Sequence, residues 1–167
     1  MAIVRDSPCG KKVAVVEPYT KKINVSNKTD ELFSITHTDF VRSLSWSPSG
    51  DKIASSIYEN AIFIWNGTNG NLIRKITDIN NIIRVFSWSP NGLILACGSE
   101  KGSVLLFDPI KGSLLGTLRG HTHYITSIVW SSDGLTLASS TLLDKIIWSV
   151  ETGKIIQKIN QSIKYQS

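Results

Sequence analysis

Trp46, Trp88 and Trp130 stand 42 residues apart, and each is followed by a turn sequence: Ser47-Pro48-Ser49-Gly50, Ser89-Pro90-Asn91-Gly92 and Ser131-Ser132-Asp133-Gly134. A second aromatic ladder, Trp65, Phe107 and Trp148, steps by 42 and then 41 residues. A fixed period of this length constrains the fold strongly, because each repeat is one supersecondary unit that buries its apolar faces only against its neighbours. A worn copy precedes these units. Ser7-Pro8-Cys9-Gly10-Lys11-Lys12 aligns with Ser47-Pro48-Ser49-Gly50-Asp51-Lys52 at an offset of 40, and on that alignment Val25 takes the place of the ladder aromatic. The chain of 167 residues divides into units of about 1–35, 36–76, 77–118 and 119–160, with a polar tail, 161–167, expected to be flexible.

Each unit holds four short β-prone runs separated by turn residues, the pattern of an antiparallel meander. In the second unit the runs are 41–47, 52–56, 61–66 and 71–76; in the third, 82–88, 93–98, 103–108 and 113–118; in the fourth, 124–130, 135–139, 145–149 and 154–159. In the Ser-Pro-x-Gly turns, proline fixes φ near −65° and glycine accepts a positive φ. Runs such as Leu93-Ile94-Leu95-Ala96-Cys97 and Val104-Leu105-Leu106-Phe107 are apolar throughout, which predicts sheets buried on both faces. No helical period is visible, so the predicted class is all-β.

This period, with Gly120-His121 at one end of a unit and Trp148 near the other, resembles that of the WD-repeat β-propeller family. The resemblance implies blades of four antiparallel strands, four blades in this chain, and a non-enzymatic protein-protein interaction scaffold. It also implies a hydrogen-bonded chain of His, Ser, Asp and Trp inside a blade. The matching residues are His121, Ser139, Asp144 and Trp148 in the fourth unit and His37, Ser55 and Trp65 in the second, with Glu59 where the Asp belongs. The third unit breaks this set with Ile79, Cys97 and Phe107. Partners of such propellers commonly dock on the loops before each first strand and between the second and third strands. Those positions are Asp39, Phe40, Tyr58, Glu59, Asn81, Ile82, Glu100, Lys101, His123, Tyr124 and Leu142.

Other chemistries find little support. His121-x-His123 would put two imidazoles on one face of a strand, but no further ligand has metal-site spacing, so neither metal nor cofactor is expected. No nucleophile or phosphate-loop motif is present, and no enzyme is expected. Two cysteines, Cys9 and Cys97, form no framework and suit a reducing compartment; the start is too briefly apolar for a signal peptide, and a cytoplasmic or nuclear location is expected. The net charge of +5, with Lys11, Lys12, Lys21, Lys22 and Lys28 clustered, leaves binding of RNA or anionic lipid as the alternative function, with nucleic acid and membrane both ranked below protein or peptide. Four blades cover about half of the ring usual in the family. Neither Val13-Ala14-Val15-Val16 nor Leu135-Thr136-Leu137-Ala138 reads as a polar cap, so both ends are expected to be stacked upon. A homodimer closing an eight-bladed ring is the expected assembly; a tight four-bladed ring and a partial propeller completed by another chain are the alternatives.

Overall fold

Short β-prone runs joined by tight turns pair with their sequence neighbours, and that is the architecture of the computed structural model, which describes residues 2–17, 19–58, 60–77 and 79–160. These residues form four separate four-stranded antiparallel sheets and no helix. The first blade is β1 (Ile3–Asp6), β2 (Val13–Val16), β3 (Lys22–Ser26) and β4 (Glu31–Thr36). The second is β5 (Val41–Trp46), β6 (Lys52–Ile57), β7 (Ile62–Asn66) and β8 (Leu72–Ile76). The third is β9 (Ile83–Trp88), β10 (Leu95–Ser99), β11 (Ser103–Phe107) and β12 (Leu114–Arg119). The fourth is β13 (Ser127–Trp130), β14 (Thr136–Ser140), β15 (Asp144–Ser149) and β16 (Ile155–Asn160), so its outermost strand is supplied locally. The tail from 161 to 167 lies outside the described residues.

Two strand starts differ from the sequence expectation by more than one residue. The run beginning at Leu93 enters β10 only at Leu95; ahead of it Asn91 Oδ1 accepts the Leu93 N–H at 3.0 Å and Ser89 Oγ accepts the Ile94 N–H at 2.9 Å. The run beginning at Tyr124 enters β13 only at Ser127, because the Ile125 N–H is given to Ser99 O of the preceding blade, at 3.0 Å.

The first strand of each blade packs on the first strand of the next, β1 on β5, β5 on β9 and β9 on β13. Three apolar clusters fill these junctions. Ala14, Val16, Ile23 and Val25 meet Leu44, Trp46, Ile53 and Trp65; Ala54, Ile62 and Ile64 meet Trp88, Leu95, Cys97 and Phe107; Ala96, Val104 and Leu106 meet Ile128, Leu137, Ile146 and Trp148. Alternate residues of each strand therefore serve opposite junctions. Burying each large apolar side chain contributes about 1.5–3 kcal/mol, which is why the middle strands β6, β10 and β11 are nearly closed to water. Each first-strand tryptophan also hydrogen-bonds across its junction: Trp46 Nε1 donates to Arg5 O at 3.0 Å, Trp88 Nε1 to Ser45 O at 3.4 Å and Trp130 Nε1 to Ser87 O at 3.1 Å.

Strand register corrects the expectation for the first unit. Trp65 lies opposite Ile53, Phe107 opposite Leu95 and Trp148 opposite Leu137, but the residue opposite Val13 is Ser26. Ala14 and Val25 pair across an interval one residue longer than that between Ala54 and Ile64, so Val25 turns to the other face and is fully buried against the second blade. Asp6 likewise stands opposite Val13, in the place that Trp46, Trp88 and Trp130 hold in their own blades. The outward face of the first blade thus mixes Asp6, Asn24, Ser26 and Ser34 with Val4, Val13 and Val15. The outward face of the fourth blade sets Val129, Ala138, Ile147 and Ile159 among Ser127, Ser140, Lys145 and Gln157. Both outward faces are thus mixed, because Val13-Ala14-Val15-Val16 and Thr136-Leu137-Ala138 each divide between two faces and only one of them looks outward.

Candidate partner-binding face

Antiparallel order brings the loop before each first strand and the turn between each second and third strand to one end of the blades. In the second blade this end presents Phe40 and Tyr58, 41% and 55% exposed. Lys21 Nζ lies 5.6 Å from the Phe40 ring centroid, and the Arg42 guanidinium carbon lies 4.8 Å from that of Tyr58. In the third blade, Arg84 takes the place of Arg42 and sits 4.5 Å from the ring of Tyr124 in the fourth. Both guanidiniums donate to the same oxygen, Glu100 Oε1, Arg84 Nη1 at 2.9 Å and Arg42 Nη2 closer still. The row Tyr58, Arg42, Glu100, Arg84, Tyr124 therefore crosses three blades. A cation over an aromatic face is worth about 0.5–1 kcal/mol at an exposed site, so the row also holds its own side chains in place.

The other expected positions surround this row with different degrees of exposure. The Asp39 carboxylate accepts the Phe40 N–H at 2.8 Å. Asn81 and Ile82 are half-buried, and Ile82 O accepts the Glu100 N–H at 3.0 Å, fixing the turn that carries the carboxylate. Asn81 Oδ1 is buried with no hydrogen-bond partner among the described residues. Lys101 Nζ donates to Asn80 O at 2.9 Å, and Leu142 is exposed. Glu59 lies outside the described residues. His121 and His123 do not share a face: residues 121–123 form a loop before β13, with His121 buried and His123 exposed beside the Thr122 hydroxyl. In the basic cluster, Lys12 Nζ is given to Gly67 O at 2.8 Å and Lys21 Nζ to Thr38 O at 2.7 Å.

Arg42 and Arg84 are functional candidates that sequence reasoning did not single out. Their signal is nonetheless present, since Val41-Arg42 and Ile83-Arg84 place an arginine at the start of an apolar strand, 42 residues apart.

Beneath the face, buried polar residues fix the loops. In the fourth blade, Trp148 Nε1 donates to Ser139 Oγ at 2.7 Å, His121 Nε2 lies 2.6 Å from the same oxygen, and His121 Nδ1 bonds Asp144. Thr141 Oγ1 at 2.6 Å and Lys158 Nζ at 3.0 Å complete the set on Asp144. Burial opposes ionisation of that carboxyl, but the bonds from Thr141, His121 and Lys158 outweigh it and hold its pKa at about 2. In the second blade, Trp65 Nε1 donates to Ser55 Oγ at 2.8 Å and His37 Nε2 lies 3.0 Å from it. His37 Nδ1 has no partner among the described residues, and burial lowers the imidazole pKa to about 4. The third blade has Ile79, Cys97 and Phe107, all buried in one apolar cluster.

Residues 30–66 match the family model for the WD domain, G-beta repeat, and residues 77–133 match that for the anaphase-promoting complex subunit 4 WD40 domain. The two matched stretches together span more than half of the chain, and with the four-stranded blades they make it a member of the WD-repeat family. WD-repeat domains generally act as protein-interaction scaffolds without enzymatic activity. Among curated proteins, none matches the chain.

Proposed function

We propose that this chain is a non-enzymatic interaction module that holds a protein or peptide on the face bearing Phe40, Tyr58 and Tyr124. The observation that carries this reading is the row of two arginines, each against a tyrosine ring, joined through Glu100. Tyrosine and arginine are enriched in interface hot spots: tyrosine brings a large ring with few rotating bonds, and arginine a planar guanidinium with five N–H donors. Here the tyrosines stand on the connections between strands and the arginines within β5 and β9, where the sheets hold the backbone, so less ordering is left to oppose binding.

Affinity purification from the source cell, comparing wild type with the triple variant Phe40→Ala, Tyr58→Ala and Tyr124→Ala, tests the assignment. Loss of the recovered partners in the variant is expected. Equal recovery would sink the site.

A further inference from the structure

Resting on that docking face, we infer that its partner is a peptide segment presenting an Asp or Glu carboxylate to Arg42 and Arg84, in the position that Glu100 occupies. The two guanidiniums come from adjacent first strands, β5 and β9, and converge on one carboxylate oxygen. That carboxylate is a stand-in supplied by the protein itself. It projects from the exposed turn between β10 and β11, and its side chain is 34% exposed, whereas the Arg42 side chain is held at 15%. Each guanidinium has five N–H donors, so two of them against one carboxylate leave both an excess positive charge and unused donors. Tyr58 and Tyr124 flank the pair, their ring centroids 4.8 and 4.5 Å from the respective guanidinium carbons.

A groove beside the row indicates which kind of side chain accompanies the acid in the partner. It lies between the first two blades, has a volume of about 400 Å³, and is walled mostly by apolar and aromatic side chains, among them Val16, Phe40, Val41 and Tyr58, together with Glu17 and Thr20. Tyr58 is shared: its ring carries Arg42 and also lines the groove. A segment with an apolar side chain near its carboxylate can fill the groove while the acid meets the arginines. Exchange of one carboxylate for another leaves the charge at the arginines unchanged, so Glu100 acts as a competitor that the partner must displace.

Fluorescence anisotropy with a labelled heptapeptide alternating Glu and Leu tests this on the full chain at low salt. Its Gln–Leu and phosphoserine–Leu counterparts are run beside it. The Glu–Leu peptide is expected to bind roughly tenfold more tightly than the Gln–Leu peptide, and to lose about that factor with Arg84→Gln, as for a hydrogen bond to a charged group. Glu100→Gln, which removes the competitor, is expected to tighten binding several-fold. Arg84 is 39% exposed on its side chain, so its variant carries the test even where Arg42→Gln unfolds. Equal binding of the Glu and Gln peptides, preference for the phosphoserine peptide, or weaker binding by Glu100→Gln would each overturn the inference. If partner capture is lost in the triple alanine variant while no acid preference is found, the docking face stands and only the carboxylate assignment falls.

Discussion

Trp88 reaches across the junction between the second and third blades to donate its indole N–H to the carbonyl of Ser45, 3.4 Å away. Trp46 and Trp130 make the same bond at their junctions. The bond fixes which residue of one first strand faces which residue of the next. Trp88→Phe keeps an aromatic ring but removes the donor and part of the ring volume. A loss of about 2 kcal/mol is expected, from the unpaired carbonyl and the space left, and urea unfolding of the variant measures it.

The same bond bears on whether the two ends of the stack can associate. Asp6 stands where the bonding tryptophan would be, so a junction between the outward face of one chain's first blade and Val129, Ala138 and Ile147 of another would form without it. Asp6→Trp restores the donor and removes a carboxylate from an apolar contact. Light scattering during size exclusion is expected to show that the variant associates more strongly than wild type, and that adding Val129→Glu reverses this. An unchanged mass across a concentration series would contradict the role given to the bond.

His37 predicts a pH dependence of stability. Its folded pKa, about 4, lies below the ordinary 6.5 because burial disfavours the charged ring. A group with a depressed folded pKa favours the folded state above its unfolded pKa, so this contribution is complete above about 6.5 and is lost as pH falls toward 4. The full loss amounts to about 3 kcal/mol at most, since a tenfold change in proton affinity between the folded and unfolded states corresponds to about 1.4 kcal/mol. Urea midpoints between about pH 7 and 4 should fall in wild type and fall less in His37→Gln. Parallel profiles would contradict the assignment.

Blades with and without the polar set offer a comparison of partial and complete replacement. Ser55→Ala strands the Trp65 indole and the His37 imidazole, and a loss of about 2–3 kcal/mol is expected. Replacing the whole set by the residues of the third blade, His37→Ile with Ser55→Cys and Trp65→Phe, leaves no orphaned polar group. That variant is expected to lose less than Ser55→Ala alone in the same unfolding assay.

The repeat and its turns make most of the fold legible. The 42-residue interval between Trp46, Trp88 and Trp130 places β5, β9 and β13 at equivalent positions, and the Ser-Pro-x-Gly turns, with Ser131-Ser132-Asp133-Gly134 in the fourth blade, set the first hairpins. The worn unit misleads because one added residue between Ala14 and Val25 reverses every side chain after it, a shift that no aromatic marks. β1 is not legible at all, since four residues ending in Asp6 carry too little apolar pattern. On the docking face the aromatic positions are legible from loop placement. The arginines are not, because Arg42 and Arg84 sit within strands, and only the packing of β5 on β9 brings both to Glu100.

A photo-crosslinking residue placed at Tyr58, and separately at Leu115 on the outer strand β12, tests most directly where partners dock. Both positions are about half exposed, so access does not distinguish them. Crosslinked partner is expected from Tyr58 and not from Leu115, and the Tyr58 product should be depleted by adding Arg84→Gln. Equal or greater crosslinking from Leu115 would contradict the central claim that the Tyr58–Arg42–Glu100–Arg84–Tyr124 row is the binding face.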